Sequence, residues 1–340
     1  MKIKAWTVVG RLLLITVLFI LALWGTLALY FSELDKMPPL NSVLAIVFGM
    51  AGAWAFISFV ALKNKTGPLI IFGVFSVLLM IWWYTLEPSN HRDWQTDVER
   101  LARAEINGDL VTVRNVRNFD YQSETDYTPA YYDKTFDVSQ LTSADLVAVY
   151  WMGPAIAHTF LSFGFENKDY LAISIETRKE KAESYSTIKG FFKQYELYYV
   201  VADERDVIRL RTNYRKNPPE DVYLYRAQGD MGNGKRLFLE YMHRINELNK
   251  QPEFYNTLMD NCTTGIWMNT NINPGRVPLS WKILASGYVP EYLYETGKLD
   301  NSMPFRELKR LSLINERAQA ADQAENFSAA IREGMPGMEQ

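Results

Sequence analysis

The sequence predicts an α+β protein: three N-terminal transmembrane helices, then a water-facing domain of antiparallel strands with helices near its end. Three observations carry this. Hydropathy divides the 340-residue chain at Glu87, with almost continuous apolar runs before it and charged, tyrosine-rich sequence after it. Beyond that point, short runs rich in β-branched and aromatic residues are bounded by turn residues. Finally, Lys235 to Lys250 carries Leu237, Tyr241, Ile245 and Leu248 on one helical face.

Residues 7–31, 40–62 and 68–86 are each long enough to cross roughly 30 Å of hydrocarbon as a helix, which makes 1–88 a membrane anchor. The first run exceeds the roughly 7 to 15 apolar residues of a signal peptide and no small-x-small site closes it, so it is expected to be retained. Lys2, Lys4 and Arg11 flank the first span and Lys63 and Lys65 follow the second, whereas the loop between them holds Glu33, Asp35 and Lys36. The positive-inside rule then puts the N-terminus in the cytoplasm and everything after Glu87 outside it. Trp82, Trp83 and Tyr84 would form an aromatic belt at the outer interface.

From 89 to 300 the elements follow in order. Residues 90–108, with Val98, Leu101, Ala102 and Glu105, read as a short amphipathic helix, and Leu110 to Val116 as a strand. The polar stretch 118–141 holds Tyr121, Tyr127, Tyr131 and Tyr132, as a loop laid over a core or lining a pocket. Leu146 to Trp151 is an apolar strand broken by Gly153-Pro154. His158 to Phe165 and Tyr170 to Glu176 form a hairpin around Glu166-Asn167-Lys168-Asp169. Arg178 to Lys181 reads as a solvated face. Tyr195 to Ala202 and Val207 to Leu210 read as strands around Asp203 to Asp206, and Val222 to Tyr225 as another. Residues 301–340 are read as a charged, alanine-rich helix that frays into a tail.

Charge and composition exclude several functions. The net charge of −3 leaves no nucleic-acid footprint. Gly229 to Lys235 resembles a phosphate-cradling loop but has Arg236 where Ser or Thr should hold magnesium, so it reads as a glycine-rich turn. No His pair stands at metal-ligand spacing, and neither a metal nor a cofactor is expected. Ser162 and Ser174 lack the glycines of a nucleophile elbow.

What remains is thiol chemistry. Cys262 is the only cysteine, and Asp260-Asn261-Cys262-Thr263-Thr264 reads as the entry to a helix, whose free N–H groups and partial positive charge favour thiolate. A lone thiol in an oxidising compartment has no internal disulfide partner. Of three histidines, His91 and His243 lie in polar surroundings, whereas His158 opens an apolar strand. A strand-borne His facing a helix-capping Cys is the arrangement of papain-like thiol chemistry. The alternative is a core histidine and an inert buried sulfur. Glu176 lies roughly opposite His158 if the hairpin is tight, which makes it the candidate orienting group; Tyr195 and Tyr199 are the others. Asn261 could support an oxyanion, though it also reads as a helix cap.

The chain resembles the periplasmic domain of Lnb-type lipoprotein N-acyltransferases. The likeness is carried by Ala157-His158-Thr159-Phe160-Leu161-Ser162-Phe163-Gly164-Phe165, Ser174-Ile175-Glu176-Thr177-Arg178, Tyr195 to Asp206, and Glu253 to Leu258 running into Asn261-Cys262-Thr263-Thr264. It covers approximately 115–290. This resemblance implies a circularly permuted papain-like fold, related to NlpC-type peptidases and to lecithin:retinol acyltransferase, in which His precedes Cys. It further implies a bacterial inner-membrane enzyme with a periplasmic domain. Cys262 would take an acyl chain from a phospholipid as a thioester and pass it to the amine of a lipoprotein N-terminus, with His158 as the base. A cysteine peptidase or amidase acting on cell-wall peptides is the competing expectation, and a non-catalytic envelope scaffold the third.

Overall fold

A computed structural model describes residues 2–32, 36–61 and 66–338, with side chains from residue 8 onward. The chain divides into two compact units, one of residues 1–89, 184–196 and 254–257, the other of 90–183, 197–253 and 258–340.

The first unit is built on helices α1 (Lys2–Phe31), α2 (Leu40–Ala61) and α3 (Thr66–Thr85). All three are long and apolar enough to cross a membrane. Glycines let them pack closely, as is usual where lipid leaves no hydrophobic drive between helices. A Cβ on Gly25 would stand 2.4 Å from the Phe48 ring, and one on Gly52 would stand 2.6 Å from the Ala22 Cβ. The Arg11 guanidinium donates to the Phe59 and Val60 carbonyls at the C-terminal end of α2, at 3.4 and 3.2 Å. The side chains of Lys2 and Lys4, and residues Glu33, Asp35, Lys63 and Lys65, on which the orientation also rests, lie outside the described residues. Segment 184–196 folds onto the helix ends. Lys193 Nζ donates to the Trp83 carbonyl at 2.9 Å, and Phe192 stacks on Phe31. Of the expected aromatic belt, Trp83 meets Trp24 edge-on while Tyr84 is exposed.

The second unit is α+β. Its strands are β1 (Arg103–Asn107), β2 (Leu110–Arg117), β3 (Asp120–Tyr121), β4 (Tyr127–Thr128), β5 (Tyr131–Asp137), β6 (Leu141–Tyr150), β7 (His158–Phe165), β8 (Tyr170–Arg178), β9 (Glu196–Ala202), whose first residue belongs to the other unit, and, after helix α4 (Glu204–Arg209), β10 (Asp221–Arg226). The main sheet runs β1-β2-β9-β8-β7-β6-β10, with β5 also paired to β2. Helices α5 (Met231–Lys250) and α6 (Cys262–Asn269) follow, then the short α7 (Trp281–Leu284), α8 (Val289–Glu295), α9 (Phe305–Leu311), α10 (Asn315–Ala320) and α11 (Phe327–Ala330).

Strand alternation sorts the side chains into two covered faces. On one, Phe163 and Phe165 meet Phe238 of α5 edge-on, and Ile175 meets α6. On the other, Val147, Phe160, Ala172, Val222 and Leu224 pack with Val207, Ile314, Phe327, Ile331, Met335 and Met338. The C-terminal segment therefore closes the core, contrary to the expected frayed tail. Arg332 locks it there, donating to Asp145 and Glu204 beneath the sheet, all three being buried.

Other expectations are corrected. Residues 90–108 form a single 3-10 turn, Thr96–Val98, and then strand β1, because Asn246 of α5 exchanges two hydrogen bonds with the Ala104 backbone and fixes it extended. Val207 to Leu210 is helical, not a strand. Asp203 caps α4 by accepting from the Arg205 N–H, and buried Asp206 accepts from Arg117, Phe119 N and the Tyr121 hydroxyl. Arg178 is buried, donating to the Val98 and Glu99 carbonyls. The tyrosine-rich stretch 118–141 carries strands β3 to β5 in place of the expected loop. Helix α5 starts at Met231, capped by Asp230, so the glycines after Asp230 are its first turn.

Candidate active site

Cys262 is the first residue of α6. Asn261 is the cap: its side-chain oxygen accepts from the N–H groups of Thr263 and Thr264, and the Thr264 hydroxyl accepts from the Asn261 N–H. This capping box fixes the helix start, and the partial positive charge there favours an anion on the sulfur. Helix α6 is held to the sheet at three points. The Thr159 and Thr263 hydroxyls share a 2.9 Å hydrogen bond, and Asn269 Nδ2 donates to the Tyr199 hydroxyl at 3.1 Å. Between these, Gly265 lies so near β8 that a Cβ there would stand 2.7 Å from Ile175 Cδ1.

His158 opens β7. The β7–β8 register pairs Leu161 with Ile173 and Gly164 with Tyr170, and at the same offset His158 falls opposite Glu176. His158 Nε2 lies 2.7 Å from Ser174 Oγ and 3.4 Å from Glu176 Oε1, and Ser174 Oγ donates to Glu176 at 2.9 Å. Because Ser174 gives its one proton to the carboxylate, its oxygen must accept from Nε2–H. That fixes the tautomer and leaves Nδ1 for the sulfur. Arg211 Nη2 donates to the same Glu176 oxygen at 3.0 Å, and Arg211 Nη1 also lies 3.6 Å from Glu220.

The faces of the sheet separate the candidate residues. Thr159 and Ile175 point toward α6, whereas His158, Ser174 and Glu176 have the alternate parity and share the face of Arg211. Since His158 is the strand's first residue, it meets Cys262 at the sheet's end.

Charge coupling follows from this proximity. Burial pushes the Cys262 thiol up, but the charge and hydrogen bond of His158, the Thr159 N–H and the Thr263 hydroxyl bring it down from 9.0 to about 7. Burial and the Arg211 charge oppose protonation of His158, yet Cys262 and Glu176 carry it above its ordinary value. Burial also opposes ionisation of Glu176, and His158 and Arg211 overcome it, holding the carboxyl well below the usual range.

Thus Cys262, His158 and Glu176 come together, with Asn261 as the cap beside them. Tyr195 belongs to the other unit, where its hydroxyl donates to the Ser184 carbonyl and accepts from Ser186 N. Tyr199 sits at the far end of α6 from Cys262, about 10 Å along the helix. Two residues were missed. Ser174 lies two positions before Glu176 and so shares its face, a signal that period-two reading could have used. Arg211 comes from the π-helical turn Leu210–Tyr214, directly after a run that reads as a strand. Among the described residues, no cluster of His, Cys, Asp and Glu could hold a metal.

Residues 127–287 match the family model described as the Lnb N-terminal periplasmic domain, in agreement with the resemblance carried by the motifs. No curated protein matches the chain, and no solved structure does.

Proposed function

We propose that this membrane protein, whose residues 127–287 match the Lnb N-terminal periplasmic domain, is a thiol acyltransferase of papain-like design. It moves an acyl chain from a phospholipid through a Cys262 thioester to an amine acceptor such as a lipoprotein N-terminus. The observation that carries its thiol chemistry is the placing of Cys262 at the start of α6 beside His158, which Ser174 and Glu176 hold in turn; the family match and the three spans favour a lipid-borne acyl donor.

In the first half-reaction the Cys262 thiolate attacks the ester carbonyl, and the oxyanion forms beside the α6 N-terminus. Asn261 already occupies the N–H groups of Thr263 and Thr264, so the Cys262 N–H is the helix donor left for that charge. The carbon–oxygen bond then breaks, and His158 gives its proton to the departing alcohol. In the second half-reaction an amine attacks the thioester, His158 takes its proton, and the thiolate leaves. Glu176, held by Arg211 and relayed through Ser174, positions the imidazole and stabilises its charged form. Three spans hold the domain at a bilayer, where lipid-borne donors reach high local concentration. The bilayer is the bacterial inner membrane, with the N-terminus cytoplasmic.

The test is acylation of a lipoprotein amine by the purified full-length chain in lipid vesicles. Transfer with a Cys262-linked acyl thioester, abolished in Cys262→Ala, is expected. Release of free amine from muropeptides, with no lipid-derived thioester, would replace the reading by a hydrolase.

A further inference from the structure

A cavity of about 210 Å³ lies on the α5–α6 face of the sheet, entirely within the second unit. Leu146, Leu161, Leu237, Ile266, Val289 and Leu293 line it, and so do Thr159 and Thr263. The Thr263 hydroxyl lies 3.7 Å from the Cys262 sulfur, and the Thr159 N–H also reaches that sulfur, so the cavity begins beside the proposed nucleophile. Their hydroxyls share one hydrogen bond, which leaves the approach from the sulfur less polar than its composition suggests.

The same wall carries two cations. Arg276 lies 4.2 Å above the Trp267 ring, and Lys298 also reaches the lining. Among the described residues neither is in an ion pair. Asp230, the one acid on the lining, spends its Oδ1 on the N–H of Gly232 at the α5 cap. An apolar slot whose two cations outnumber its one helix-capping carboxylate complements an amphiphile that has a hydrocarbon tail and an anionic head.

We infer that this cavity is the acyl-chain site for an anionic diacyl phospholipid, with Arg276 and Lys298 receiving its phosphate. The inference rests on the acyl-transfer reading and deepens it. At roughly 30 Å³ for each water-sized group, the volume takes about seven methylenes. For a short-chain phospholipid that arrives from water, each buried methylene is worth about a fourfold gain in affinity. Binding is therefore expected to strengthen with chain length up to about that number and then to level off.

The experiment uses the full-length chain in vesicles of phosphatidylglycerol carrying a photoactivatable diazirine in one acyl chain, with adducts mapped by mass spectrometry. Adducts are expected on Leu237, Ile266 or Leu293 in the wild type and equally in Cys262→Ala, since binding does not need the thioester. Ile266→Trp, which fills the slot, should reduce them at least tenfold while labelling of α1 to α3 stays the same. Ile266→Ala, which enlarges the slot, should keep them. Replacing both Arg276 and Lys298 by Ala should reduce cavity labelling about fivefold, to the level of a phosphatidylcholine probe. Adducts confined to α1 to α3, or cavity adducts indifferent to Ile266→Trp, would overturn the site. Cavity labelling without any Cys262 thioester keeps the lipid site and defeats the transferase reading. A thioester without cavity labelling does the reverse.

Discussion

Because Cys262 is the only cysteine, its ionisation can be read directly from the pH dependence of alkylation by iodoacetamide. A thiol lowered to about 7 is half thiolate at pH 7, whereas one at the ordinary 9.0 is about one part in a hundred. His158→Gln removes the imidazolium charge and leaves burial in place, so the thiol returns to 9.0 or above. The thiolate fraction at pH 7 then falls about fiftyfold. Part of that is offset, since a more basic thiolate is intrinsically more nucleophilic; a Brønsted slope of about 0.45 over two units returns roughly eightfold. The net expectation is a variant about sixfold slower at pH 7 that becomes faster than the wild type between about pH 8 and 9. The crossing of the two profiles distinguishes a pKa shift from a change in access, which would scale the rate at every pH alike. Superimposable profiles, or two parallel ones, would refute the coupling of His158 to Cys262.

Glu176→Gln should move the thiol profile upward in the same assay, because the imidazolium loses its carboxylate. Glu176 is depressed in the folded chain, so its pairing stabilises the fold above about pH 4.5 and that contribution is lost as pH falls through the lowered value. The melting-temperature gap between wild type and Glu176→Gln should accordingly close on acidification, and a gap that widens would contradict this sign. Gly287→Ala would place a Cβ 2.1 Å from the Pro154 carbonyl oxygen, a backbone contact that cannot rotate away. It should cost about 1–3 kcal/mol in denaturant unfolding and loosen the turn that holds the residues before His158. Arg332→Met leaves buried Asp145 and Glu204 without that guanidinium. A loss of about 3–5 kcal/mol is expected by the same measurement, whereas a frayed tail would give none.

The parts of this fold that were legible in the sequence are those set by local periodicity. Uninterrupted apolar runs mark α1 to α3, and the hairpin at 166–169 fixes a register that sets Glu176 opposite His158. The Cys262 helix start was legible too, because Asn261 and Thr264 stand at capping spacing. What escaped depends on distant partners. The β-branched Val207 and Ile208 suggest a strand until Asp203 is seen as a cap and Asp206 as the anchor of Arg117, eighty-nine residues earlier in the chain. That misreading also concealed Arg211, since a strand there would not lead into the π-turn that aims it at Glu176. Arg178 looked solvated because it begins a charged run, yet its guanidinium lies over the Trp94 ring and satisfies carbonyls some eighty positions away. The last thirty residues look like a tail in composition; only the sheet face they cover gives Ile331, Met335 and Met338 a place to be buried.

A thiolate and an imidazolium do not by themselves separate transfer from hydrolysis, since both proceed through the same acyl-thioester and differ only in the second nucleophile. Water is far more concentrated than any amine, so a transferase must keep it from the thioester carbonyl while the acceptor approaches. The apolar cavity beside Thr263 is suited to that task once an acyl chain fills it, because a filled cavity leaves no room for water on that side of the sulfur. Ile266→Ala opens space beside a bound chain without touching Cys262, His158 or Glu176. The ratio of acylated amine to free fatty acid should therefore fall severalfold in this variant, with the alkylation profile of Cys262 unchanged. If total turnover falls while that ratio stays fixed, the cavity shapes binding alone and water exclusion must be sought elsewhere in the domain.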